Sequence, residues 1–127
     1  MGSLRFEELR VYQQAEQLAD EIWDIVLSWD PFAKDTVGKQ VVRSADSIGA
    51  NISEGAGRGI YQDNKRFIRM ARGSLNETRH WLRRAVRRQL LTQQQIDTLK
   101  PYLNELPPQL NAYLRSIGTQ NPDDDNR

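Results

Sequence analysis

The chain contains no cysteine, a single histidine, and no apolar run long enough to cross a bilayer. Without cysteine there is no disulfide framework and no thiolate metal site. The lone histidine, His80, lies between Arg79 and Arg83, which suits a surface position better than a general base. No apolar N-terminal segment resembles a signal peptide, so a cytoplasmic protein without a membrane partner is expected. Alternating apolar and polar stretches of strand length are also missing, which leaves an all-α fold. At 127 residues and 38% hydrophobic composition, the chain supports one domain with one core.

What is present is charge, unevenly placed. The formal net charge is only +1, yet residues 7–24 hold Glu7, Glu8, Glu16, Asp20, Glu21 and Asp24 against Arg10. Residues 61–90 reverse the balance, with nine basic side chains against Asp63 and Glu77. The local field therefore says more about partners than the total does.

Gly and Pro punctuation divides the chain into four amphipathic segments. The first, residues 8–29, aligns Val11, Ala15, Leu18, Ile22, Ile25 and Trp29 before Asp30-Pro31 stops it. Its apolar arc continues through Val26, Ala19, Tyr12 and Trp23 to Leu9 and Leu27, wider than one core needs, and predicts a second contact surface. The second segment, residues 35–54, carries Val37, Val41, Ala45, Ile48 and Ile52, and Gly55, Gly57 and Gly59 supply a flexible or left-handed exit turn. A phosphate loop is the weaker reading of these glycines, since no strand precedes them and no Gly-Lys-Ser/Thr comes after them.

The third segment, residues 61–90, presents Phe67, Ala71, Ser74, Leu75, Thr78, Leu82 and Ala85 to the core. Gly73 costs about 1 kcal/mol relative to alanine inside a helix, so it points to a packing demand. Thr92 and Gln95 form a near capping box, after which Ile96, Leu99, Leu103, Leu106, Leu110, Leu114 and Ile117 keep one face. Pro101 is absorbed near the first turns, and Pro107-Pro108 predicts a kink or short break. Residues 5–118 read as the bundle, and residues 119–127, with Asp123, Asp124 and Asp125, as a disordered acidic tail.

Two constellations stand out. Arg43, Ser44, Ser47, Asn51, Glu54 and Arg58 fall within about 100° of one helix face, beside the apolar sector. Polar groups bordering a core are costly to desolvate unless they satisfy one another, which predicts a structural network at a helix–helix seam. Glu54 would pair with Arg43 or Arg58, and Glu77 with Arg66 or Arg84. As paired catalytic or metal-binding carboxylates, Glu54 and Glu77 lack the repeated Glu-x-x-His spacing of metal bundles. No enzyme, metal or cofactor is expected.

The second constellation is basic: Lys65, Arg69, Arg72, Arg79, Arg83 and Arg87 share a sector of about 80°. Beside a solvated face, it supports RNA or DNA backbone binding with strong salt dependence, or self-association against the acidic side of the first helix. Trp23, Trp29 and Trp81 read as core or interface anchors rather than base-stacking platforms.

Residues 6–15 (FEELRVYQQA), 43–58 (RSADSIGANISEGAGR) and 66–77 (RFIRMARGSLNE) resemble the signature blocks of proteins encoded in 23S ribosomal RNA intervening sequences. That family is related to the accessory variability determinant of diversity-generating retroelements. With the weaker fourth helix, the resemblance covers about residues 5–117. It implies an up-and-down antiparallel four-helix bundle, assembled as a homopentameric ring and without known catalytic activity. The retroelement members are basic pentamers that bind reverse transcriptase and nucleic acid, and the intervening-sequence members imply a role with RNA. This chain departs from the accessory proteins in its near-neutral charge and acidic first helix. The expectation is a non-enzymatic, ring-forming bundle associated with RNA through its third helix. The alternative is a protein-binding scaffold or reverse-transcriptase accessory factor.

Overall fold

A computed structural model describes residues 5–118, so the expected acidic tail, residues 119–127, lies outside the described residues. Among the described residues there are helices and turns but no strand. A 3-10 turn, Phe6–Glu8, leads into α1 (Arg10–Leu27). Asp30 then starts the next rod: its carboxylate accepts a 3.0 Å hydrogen bond from the Ala33 amide, and Pro31 sits where a missing N–H costs nothing. From there α2 (Pro31–Ala33), a π turn (Lys34–Gly38) and α3 (Lys39–Ala56) run on without leaving helical backbone. This rod therefore begins before residue 35, because Asp30-Pro31 both stops α1 and caps the next helix.

α4 (Tyr61–Arg87) ends in a Schellman motif, with Gln89 at φ 61° and the Leu90 amide bonded to the Ala85 carbonyl at 2.9 Å. α5 (Gln93–Ser116) opens with both arms of the Thr92/Gln95 capping box in place. Of the kink or short break expected at Pro107-Pro108, the break is absent, since α5 runs on through both prolines, and Pro101 is absorbed just past the second turn. Pro107 cannot donate to the Leu103 carbonyl, but Arg79 Nη1 of α4 does so at 3.0 Å. A neighbouring helix thus satisfies an acceptor that the proline leaves vacant.

Cross-helix pairs fix the directions. Ser44 meets Thr78, Asn51 meets Ser74, and Gly55 lies against Asn64 and Phe67, so α3 and α4 run antiparallel. Gly38 against Val26 and Gly49 against Tyr12 set α1 and α3 the same way, as Arg72 to Asn111 and Arg79 to Leu103 do for α4 and α5. α1 packs on α3 and α5, and α4 on α3 and α5, which leaves α1 and α4 across the diagonal. All four long helices feed one core, with Leu18, Ile22, Ile48, Ile52, Ile68, Leu99, Leu106 and Leu110 fully buried. Each such side chain contributes about 1.5–3 kcal/mol of burial, so this core determines the packing order.

Gly57 and Gly59 lie in the exit turn of α3 as expected, whereas Gly55 lies inside the helix. None of Gly55, Gly57 and Gly59 has positive φ. Gly55 is instead a contact point, where a Cβ would sit 2.6 Å from Asn64 Oδ1 and 2.9 Å from Phe67 Cβ. At Gly73, where a packing demand was expected, a Cβ would meet nothing within 4 Å.

Candidate interface on helix α4

The α3/α4 seam is polar, but on a smaller scale than the predicted network. Thr78 is fully buried, with Oγ1 3.0 Å from Ser44 Oγ and 2.8 Å from the Ser74 carbonyl. Asn51 Nδ2 donates to the Ser47 carbonyl at 2.9 Å and reaches Ser74 Oγ at 3.5 Å, while Ser47 Oγ donates to the Arg43 carbonyl. The charged members stay outside this joint. Arg43 is exposed, Glu54 and Arg58 form an exposed i,i+4 pair at 3.0 Å, and Glu77 accepts from Trp81 Nε1 at 3.2 Å rather than pairing with Arg66 or Arg84. Arg58 and Arg66 both lie over the Phe67 ring, at 4.8 and 4.6 Å. Neutral hydroxyls and one amide can be buried with few partners, whereas guanidinium and carboxylate groups keep their water.

The six basic residues of the α4 stripe do not act alike. Arg72 Nη1 donates to Asn111 Oδ1 of α5 at 3.0 Å, and Arg79 Nη1 to the Leu103 carbonyl, so two of them tie α4 to α5. Lys65 is half-buried near the start of α4. Arg69, Arg83 and Arg87 are exposed, and among the described residues no carboxylate lies within ion-pair distance of any of the three. Between α4 and α5 runs a groove of about 450 Å³ with an aliphatic floor that includes Val86, Leu91, Ile96 and Leu103. Arg79, His80, Arg83 and Lys100 stand at its rim. Lys100, Ile96 and Leu91 were not singled out for this role from the sequence, although the basic stripe beside an apolar α5 face carried the signal.

Across the diagonal, α1 shows the opposite character. Trp23 is 51% and Leu27 55% exposed, whereas Trp29 is buried and Trp81 half-buried. Glu16 and Asp20 line a second groove, of about 330 Å³ between α1 and α3, together with Tyr12 and Asp46. Partial burial, and then the charge of Asp20, push the Asp46 carboxyl above its ordinary value. Burial and the hydrogen bond to Glu16 push the Tyr12 phenol up.

Among the described residues no cluster of three or more acids or histidines is placed to hold a metal ion, and no helix is long and apolar enough to cross a membrane. A family model described as 23S rRNA-intervening sequence protein matches residues 7–112, nearly the whole bundle. The chain belongs to that family. A crystal structure of a protein with unknown function from the S23 ribosomal protein family, from Bacteroides thetaiotaomicron VPI-5482, is similar to it with a TM-score of 0.73 at 24% identity. The likeness covers 84% of this chain and 99% of that one, and it carries the fold. No curated protein matches. The 23S rRNA-intervening sequence family match takes in α1, α3, α4 and most of α5, and so includes both the basic face of α4 and the acidic face of α1.

Proposed function

We propose that this 23S rRNA-intervening sequence protein is a non-enzymatic cytoplasmic bundle that self-assembles into a ring, of five copies as the family resemblance implies, and binds RNA through α4. The observation that carries the RNA reading is the set of exposed guanidinium groups without carboxylate partners among the described residues, Arg69, Arg83 and Arg87, on the helix diagonal to the acidic one. An uncompensated row of arginines attracts a polyanion, and each phosphate neutralised releases condensed counterions. Arg72, held on Asn111, and Lys65 continue the basic face towards the start of α4.

Anisotropy with a structured RNA tests this at low and moderate salt, with duplex DNA run in parallel. Binding should weaken steeply with salt, and the paired change Arg69→Glu with Arg87→Glu should flatten the log–log slope by about two, near one per lost phosphate contact. No binding at low salt removes the RNA reading. Light scattering tests the ring separately, and a mass of one polypeptide at micromolar concentration removes it.

A second reading, a protein-binding scaffold with a partner such as a reverse transcriptase, is favoured by the aliphatic floor of the α4/α5 groove, which offers side-chain packing rather than base stacking. A partner retained from nuclease-treated lysate supports that reading over RNA.

A further inference from the structure

The outer face of α1 and the α4/α5 groove match each other in charge, apolarity, length and spacing. Glu16, Asp20, Trp23 and Leu27 fall within a sector of about 60° around α1, so the two acids and the two exposed apolar side chains form one stripe. On α4, Arg79, Arg83 and Val86 repeat the spacing of Glu16, Asp20 and Trp23, four residues and then three. The stripe from Glu16 to Leu27 is roughly 16 Å long, and the groove wall from Asn76 to Val86 roughly 15 Å, at 1.5 Å per residue. Each runs from a charged end to an apolar end in the same chain direction.

We infer that a second copy of this chain docks the α1 stripe Glu16–Asp20–Trp23–Leu27 into the α4/α5 groove, parallel to α4. In that register Glu16 faces Arg79, Asp20 faces Arg83, and Trp23 and Leu27 cover the floor around Val86, Leu91 and Ile96. Arg79 uses one donor on the Leu103 carbonyl and keeps others for Glu16. The inference rests on the proposed self-assembly and specifies how it is built. Donor and acceptor surfaces lie on diagonal helices of one bundle, so the contact is head-to-tail rather than a patch meeting itself. Because α1 and α4 run in the same direction within a copy, parallel docking keeps all bundle axes aligned. Head-to-tail contacts between aligned bundles close into a ring where the rotation at each contact closes and no rise accumulates. Arg69 and Arg87 lie outside the groove lining, so this docking leaves them free to meet RNA phosphates.

The test is charge reversal read by light scattering and native mass spectrometry on the full chain. Asp20→Arg and Arg83→Glu should each raise the concentration needed for assembly at least about tenfold, through like charges at the contact. The two changes in one chain should bring it back to within about threefold of the parent. Single reversals that leave the parental mass unchanged, or a double variant that fails to recover, overturn the docking while the ring stands. A parent that is itself one chain overturns both. Trp23→Glu and Val86→Glu provide an independent readout, since both sites are about half exposed and circular dichroism can verify the helices. Each variant alone should run as one chain, and an equimolar mixture should give two-chain species, because one intact stripe still meets one intact groove. A mixture that stays as single chains overturns the head-to-tail arrangement.

Discussion

Gly55 and Gly73 are both helical glycines, and the space around them gives opposite consequences. At Gly55 the α3/α4 approach is so close that an alanine Cβ would press on Phe67 Cβ and the Asn64 carbonyl, both fixed by the backbone of α4, as well as on Asn64 Oδ1. Overpacking of this kind costs about 1–3 kcal/mol, enough to outweigh the gain of about 1 kcal/mol in helix propensity. At Gly73 the same methyl meets open space, so only the propensity gain remains. Gly55→Ala should lower the urea midpoint and Gly73→Ala should raise it, the latter with a gain of about 1 kcal/mol in unfolding free energy. A stabilised Gly55 variant would mean that the seam relaxes freely. The same dependence on depth explains the polar stripe: its angular position on α3 was legible in the sequence, while the distance of each group from solvent was not. Ser44 fell on the buried side of that boundary and Asn51 half-way across it. Arg43, Glu54 and Arg58 fell on the wet side, where an i,i+4 pair contributes about 0.3–0.5 kcal/mol.

Among the elements, α5 shows most clearly how a neighbour changes what a local rule dictates. A proline inside a helix leaves an acceptor one turn back without its donor, and taken alone Pro107-Pro108 implies a kink or short break. The helix continues through both prolines, and α4 places Arg79 against the Leu103 carbonyl that Pro107 leaves vacant, a long-range contact that no window along α5 contains. Arg79→Ala should therefore destabilise the bundle by about 1 kcal/mol, the scale of one partly exposed charged hydrogen bond, whereas the neighbouring Arg83→Ala should change little. In a Pro107→Ala background the Leu103 carbonyl regains an intrahelical donor, so the Arg79→Ala loss should shrink. Chemical denaturation of the four members of that cycle measures the coupling, and additive effects would show that the guanidinium is not the missing donor. The start of the second rod obeys a related rule. Asp30-Pro31 reads as a stop signal for α1, yet the same dipeptide supplies the cap and first residue of the next helix, because the features that end one helix can also begin another.

At the scale of the whole molecule, the diagonal placement of an acidic and a basic helix separates the charges that the total of +1 conceals. Within the α1/α3 groove this separation has a thermodynamic signature. Burial and the nearby Asp20 charge raise the Asp46 carboxyl above 3.8, so between that value and the folded-state value the native protein binds more protons than the unfolded chain. Stability then falls as pH rises through this window, and the penalty is complete above it. Asp46→Asn should raise the melting temperature at pH 7, with the difference from the parent closing as pH drops below 3.8. An equal melting temperature at pH 7 would show that the carboxylate is fully solvated in the fold.

The sequence by itself determined the helix count, the buried face of each helix and the location of the two charged stripes, because periodicity and composition are properties of consecutive residues. It also determined the first cap of α5, since Thr92 and Gln95 are three residues apart. Only the tertiary structure decided which stripes face α5, how deep each polar group lies, which glycine is crowded, and how the doubled proline is tolerated. Those outcomes depend on atoms tens of residues away in the chain but within a few ångströms in space, where packing and hydrogen bonding act and local pattern has no reach.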